Sequence, residues 1–159
     1  STVVSEMHTG EYLSTLVAGN IHAGFLPVIL FMLAGVMAFA TGTSWGTFGI
    51  MLPIAAAMAV KVEPSLIIPC MSAVMAGAVF GDHCSPISDT TILSSTGAHC
   101  NHIDHVTSQF PYALTVAASA ASGYLALGMT GSAPLGFVVT GIVMVILIFI
   151  LKDKKKATA

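Results

Sequence analysis

The chain has no arginine among its 159 residues, and only 8% of them carry charge, against about 25% in an average soluble domain. A soluble fold of this length needs a charged exterior that such a composition cannot provide. Four of the five lysines fall in the last eight residues, so the rest of the chain has almost no basic side chains. With a net charge of -2, it has no basic footprint for nucleic acid. Cysteine is scarce too: Cys70, Cys84 and Cys100 are odd in number and form no CxxC pair, which argues against a disulfide framework or a cysteine-rich zinc site. They read as small apolar residues. No nucleophile sits beside an oriented base, so covalent catalysis is not implied and the chain is not read as an enzyme. There is no initiator Met, signal-peptide pattern or convincing internal repeat. We therefore expect a portion of a larger protein, or a half that needs a partner.

What is present is apolar. Mean hydropathy is +0.91 and 55% of residues are hydrophobic, the composition of a chain dissolved in lipid. Its length allows about five membrane elements of roughly 20 residues. The expected fold is an all-α integral membrane bundle. Residues 1–151 form the membrane domain and residues 152–159 a basic tail. Ser1 to Ala23 reads as an interfacial helix or the tail of a preceding span.

No charge appears from Phe25 to Val60, a stretch too long for one perpendicular helix. Thr41-Gly42-Thr43-Ser44-Trp45-Gly46-Thr47 interrupts it, and two glycines with four hydroxyls make a poor helix interior. We expect half-helices over Phe25–Ala40 and Phe48–Val60 that meet at a polar tip, either as a re-entrant hairpin or as a crossing broken helix. Pro64 restarts the chain at a first helical position. The run Ser65–Phe80 then meets Gly81-Asp82-His83-Cys84-Ser85-Pro86-Ile87-Ser88-Asp89-Thr90-Thr91, where Pro86 disfavours helix. A short helix over Thr90–Thr96 follows, with Asp89 at its start and Gly97 at its end. His99–His105 reads as a surface loop, Ser108–Gly128 as a span rich in small residues, and Pro134–Leu151 as the last span. The lysines after it place the C-terminus in the cytoplasm.

Non-helical backbone survives at membrane depth only inside protein or beside a wet cavity. Broken helices aim free carbonyls at cations and free N–H groups at anions. Thr41, Thr43, Ser44 and Thr47 offer hard oxygens for a small cation or a substrate. Asp82 and Asp89, with His83, Ser85 and Ser88 beside them, form the candidate ion- and proton-binding set. Intramembrane acids usually mark ion paths, and one carboxylate can hold either a proton or a sodium ion. Plainer readings stand beside these: Asp89 as a helix cap, Asp82 as a structural hydrogen-bonder, Trp45 as an interfacial anchor, His83 as a satisfied histidine. His99, Cys100, His102, Asp104 and His105 lack the pair-and-pair spacing of zinc sites and read as a solvated or pH-sensing surface. No cofactor is expected, and no metal beyond transported Na+.

The segments Ala40–Phe48 and Gly81–Thr91, continued by Asn101–Val106 and Pro111–Leu114, resemble the NhaC family of sodium/proton antiporters in the same order, across about Gly10 to Leu151. The resemblance implies exchange of Na+ for H+ across the bacterial cytoplasmic membrane, with malate/lactate exchange in some relatives. It also implies an inverted-repeat architecture, each repeat holding a re-entrant hairpin and a broken helix, which favours the hairpin for Phe25–Val60. Family members are several times longer and the match lies at their C-terminal end. The implied partners are thus the lipid bilayer and an N-terminal half or a second copy. An organic-anion exchanger and a non-transporting fragment are the rival readings.

Overall fold

The computed structural model describes Tyr12 and residues 22–157, with side chains through Lys152. The expectation for Ser1–Ala23 therefore lies almost wholly outside the described residues. Among them all regular structure is helical: α1 (Leu26–Thr41), α2 (Ser44–Val62), α3 (Ile67–Cys84), α4 (Asp89–Gly97), α5 (His102–Thr130) and α6 (Ala133–Ala157), with short 3-10 turns at Ala23–Phe25 and Pro64–Leu66. Five segments are long and apolar enough to cross a membrane: Ala23–Thr41, Ser44–Val62, Pro64–Cys84, His102–Thr130 and Ala133–Lys152. The protein is an all-α membrane protein.

Local chemistry sets the helix ends, and it corrects three expected boundaries. The first interruption is not Thr41–Thr47 but only Gly42 and Thr43. Gly42 ends α1 in the left-handed conformation (φ 69°), and its N–H reaches the Ala38 carbonyl. Thr43, extended, caps α2 by accepting the Gly46 N–H. Ser44, Trp45, Gly46 and Thr47 are already helical, and the Thr47 hydroxyl donates back to the Thr43 carbonyl. The second interruption begins four residues later than expected: α3 runs through Gly81 and Asp82 to Cys84, leaving Ser85–Ser88 unwound. The loop before α5 is likewise shorter, because Asn101 caps the helix by accepting the Ile103 and Asp104 N–H groups.

The central feature is a parallel pair, α1 and α3. A Cβ on Gly77 would lie 2.1 Å from the Phe31 carbonyl oxygen, and one on Gly81 would lie 2.0 Å from that of Gly35. Further along, the Ser85 hydroxyl donates to the Phe39 carbonyl at 2.8 Å. The partners keep an offset of 46 residues throughout, so the two helices run in the same direction. Glycines four apart lie on one face and let two backbones touch, and nothing larger fits there.

Helix α2 returns against both of them. It leaves Gly42–Thr43 beside the end of α3 and comes back to Pro64 at its start, burying Ala55, Met58 and Ala59 against Leu30, Ala34, Cys70 and Val74. Phe25–Val60 is thus a helical hairpin whose ends share one side, and each arm has the length of a span. Helix α5 runs antiparallel to α1: Gly24 meets Gly128, Phe31 meets Tyr124, and Phe39 meets Phe110. Helix α6 folds back on α5 at Gly131, with Gly123 against Gly136 and Thr140. Both interruptions, α4 and Lys152 therefore lie at one end of the bundle, with Lys61 at the other.

Candidate functional site

Two helices end and two begin within one small region. The C-terminal turn of α3 carries Asp82, the first turn of α2 carries Ser44, and Ser88 is the residue before α4. Because α1 and α3 are parallel and in contact, their breaks lie side by side: a Cβ on Gly42 would meet the Ile87 carbonyl at 2.8 Å. Asp82 is 8% exposed. Its Oδ2 accepts the Ser44 hydroxyl at 2.9 Å and its Oδ1 accepts the Ser88 hydroxyl at 2.7 Å. Ser88, fully buried, also shares a hydrogen bond with the Thr90 hydroxyl at 2.8 Å.

The partners of Asp82 decide what it can do. Each is a hydroxyl, which donates one hydrogen and accepts through two lone pairs. An ionised Asp82 receives two O–H bonds. A protonated Asp82 gives one hydrogen to a serine oxygen, and Ser88 turns its own hydrogen to Thr90. Neither state leaves a buried polar group unpaired, and a cation in the same place would find carboxylate and hydroxyl oxygens. A lysine or arginine partner would instead hold the acid in one charge state.

The structure distributes the remaining sequence candidates as follows. Ser85 is fully buried and spends its hydroxyl on the Phe39 carbonyl, joining break to break rather than touching Asp82. Thr47 is buried on its own helix, and Thr43 acts as a cap. Thr41 is exposed and bonds back to Met37. Asp89 and His83 are exposed; Asp89 accepts the Thr90 N–H within the first turn of α4. So Asp82, Ser44 and Ser88 come together, and Asp89, His83 and Thr41 do not join them.

Four further residues, none of them among the candidate site residues, join the framework of the site. Thr90 extends the hydroxyl relay. Thr91 donates to the His83 carbonyl at 3.2 Å, and Gln109 reaches the same carbonyl from α5. His102 lies half-buried at the start of α5 against the Pro86 carbonyl and Ser95. Thr90 alone carried a signal, two residues after Ser88 in a hydroxyl-rich run. Among the described residues no three His, Cys, Asp or Glu side chains are grouped to hold a metal. A separate open cleft of about 620 Å³ lies between α3, α5 and α6, walled by Ile68, Tyr124, Leu127 and Phe137. It is apolar and does not reach Asp82.

The chain is similar to known proteins. The model of the Na+/H+ antiporter family matches residues 1–129. An uncharacterized protein of Haemophilus influenzae is 64% identical over 96% of this chain and 29% of its own length. The malate-2H(+)/Na(+)-lactate antiporter of Bacillus subtilis is 35% identical over 54% of this chain and 18% of its own length. The arginine/ornithine antiporter ArcD of Halobacterium salinarum is 32% identical over 72% of this chain and 27% of its own length. The chain thus spans less than a third of these relatives. No solved structure matches it.

Proposed function

The chain belongs to the Na+/H+ antiporter family, a family of transporters rather than enzymes, and on that premise we propose that it forms the part of a secondary antiporter in which Na+ and H+ compete for the Asp82 carboxylate. One observation carries the reading: a buried acid whose two oxygens are each held by a serine hydroxyl from a different helix break. Asp82 with a proton and Asp82 with Na+ have the same net charge. Both can therefore pass through a low-dielectric state that the empty, charged site resists. Strict exchange follows from that equality. The C-terminal turns of α1 and α3 add carbonyl dipoles that favour a cation, and Ser44 and Ser88 supply oxygens.

The hydroxyls and one carboxylate cover one side of an ion. The opposing ligands belong, in this reading, to the rest of the transporter, either an N-terminal half or a second copy. The lysines in the last turns of α6 favour a cytoplasmic C-terminus in the inner membrane, which would put Asp82 at the cytoplasmic end of the bundle.

The names of two relatives favour a second reading, exchange of small organic ions coupled to Na+ or H+. The start of α2 would then receive a carboxylate. Everted vesicles containing the full-length transporter separate the two. If Na+ alone collapses an imposed proton gradient with no organic acid or amino acid present, cation exchange stands. If collapse needs malate, lactate, arginine or ornithine, the organic-ion reading replaces it.

A further inference from the structure

The histidine-rich segment around the start of α5 has no role in the exchange chemistry above, yet one of its side chains reaches the site's framework. His102 Nε2 lies 2.7 Å from the Pro86 carbonyl oxygen, and Nδ1 lies 3.1 Å from the Ser95 hydroxyl. A carbonyl only accepts, so Nε2 carries hydrogen. The single hydrogen of the Ser95 hydroxyl is shared between Nδ1 and the Ile92 carbonyl, which lies 2.9 Å away. Ser95 is 2% exposed. The two anchors bracket Ser88: Pro86 lies two residues before it in the unwound segment, and Ser95 lies on α4, which Ser88 opens.

The unwound segment has few other restraints. The Ser85 N–H reaches Asp82 at 3.1 Å, Ser88 N–H reaches Ser85 at 3.3 Å, and Ile87 N–H leans on the Ser85 hydroxyl at 3.4 Å. All three are local to the segment or to α3. The Ser85–Phe39 bond ties its start to α1. Only His102, among its hydrogen-bond partners in the described residues, ties it to α5. We infer that His102 is a positioning residue for ion binding: it holds Pro86 and α4 together so that the Ser88 hydroxyl stays on Asp82.

This role rests on Asp82 and Ser88 being the exchange site, and the test separates the two. A glutamine amide reaches about as far as imidazole Nε2, whereas an asparagine amide reaches only as far as Nδ1. His102→Gln therefore keeps the donor to Pro86, His102→Asn loses it, and His102→Ala loses both contacts. Na+-dependent proton movement is measured in vesicles with the full-length protein. The half-saturating Na+ concentration should rise about three- to tenfold in Ala and Asn, the equivalent of one hydrogen bond, with the maximal rate largely kept. Gln should restore it to within about twofold. Wild-type affinity in all three variants, or Gln as weak as Ala, overturns the inference. Should His102→Ala not insert, the Gln and Asn pair decides the matter alone. If Asp82→Asn leaves exchange intact, the proposed site fails, and amide hydrogen exchange at Ile87–Asp89 still judges the tether. Faster exchange in Asn than in Gln upholds it, and equal exchange ends it.

Discussion

Replacing Asp82 by Asn, and its two serine partners by Ala, separates an exchange site from a structural hydrogen-bonding cluster. Asn has the volume of Asp, and its amide can accept from one serine and donate to the other, so the contacts at 2.9 and 2.7 Å survive in neutral form. The fold should be kept. Na+/H+ exchange should vanish, because Asn neither releases a proton nor balances a cation. Ser44→Ala and Ser88→Ala remove one hydroxyl each. A hydrogen bond to a charged group contributes about 1.5–3 kcal/mol, so each should raise the half-saturating Na+ concentration about ten- to hundredfold. The double variant should fall short of the product, since both act on one carboxylate. Dye-reported proton gradients in everted vesicles, titrated with Na+, read all four proteins, and detergent melting curves check that they fold. Asp82→Asn with wild-type exchange refutes the site. Asp82→Asn that melts far below wild type while the serine variants keep their Na+ affinity would make the cluster structural instead.

Asp89→Asn should leave Na+ activation within about twofold of wild type, as for other surface changes, because Asp89 is exposed and serves only the first turn of α4; complete loss of exchange would put it in the ion path. Gly77→Ala brings a Cβ to 2.1 Å from the Phe31 oxygen, where about 3.3 Å is the closest comfortable approach. Overpacking of that kind costs about 1–3 kcal/mol, so the melting temperature in detergent should drop, and an unchanged one refutes the parallel contact. Gly42→Ala meets both left-handed backbone and the Ile87 carbonyl at 2.8 Å; the conformational part alone costs about 1–2 kcal/mol. Its Na+ affinity should fall along with its stability, measured in the same vesicles and melts.

Hydropathy was enough to read an all-α membrane bundle of about five apolar segments, since lipid-crossing segments must be long and nearly free of charge, but the two arms expected as half-helices each have the length of a span. The existence of two interruptions was readable from clustering, Gly42 within a hydroxyl-rich run and Pro86 between two serines, since single Pro53 and Pro111 stay inside helices. Their extent was not. Propensity counts Ser44, Gly46 and Thr47 against a helix, but a hydroxyl can bond the carbonyl one turn back and Thr43 caps the turn, so α2 starts early. Gly81 looked like a break and is a contact surface. The difference between Asp82 and Asp89 was equally hidden, because burial of Asp82 depends on which face of α3 meets its neighbours, while Asp89 lies beyond the unwound segment at the exposed start of α4. His102 lay in a polar run that sequence alone assigns to solvent; its partners are 16 and 7 residues away.

The route from sequence to site passes through packing that involves no chemistry of its own. Lipid gives helices no hydrophobic reason to associate, so close contact depends on small residues that let backbones meet. Gly77 and Gly81 bring α3 onto the Phe31 and Gly35 carbonyls of α1, and that contact fixes the two helices in register as well as in distance. Given the register, both helices end at the same level and their breaks adjoin. The hairpin then returns Ser44 to the end of α3, and the Ser85–Phe39 bond locks one break to the other. Asp82 thereby receives hydroxyls from two separate segments. A shift of α3 by one turn along α1, about 5.4 Å, would leave either Ser44 or Ser88 out of reach. The glycine contact between α1 and α3 is therefore what keeps the Ser44 hydroxyl in reach of Asp82.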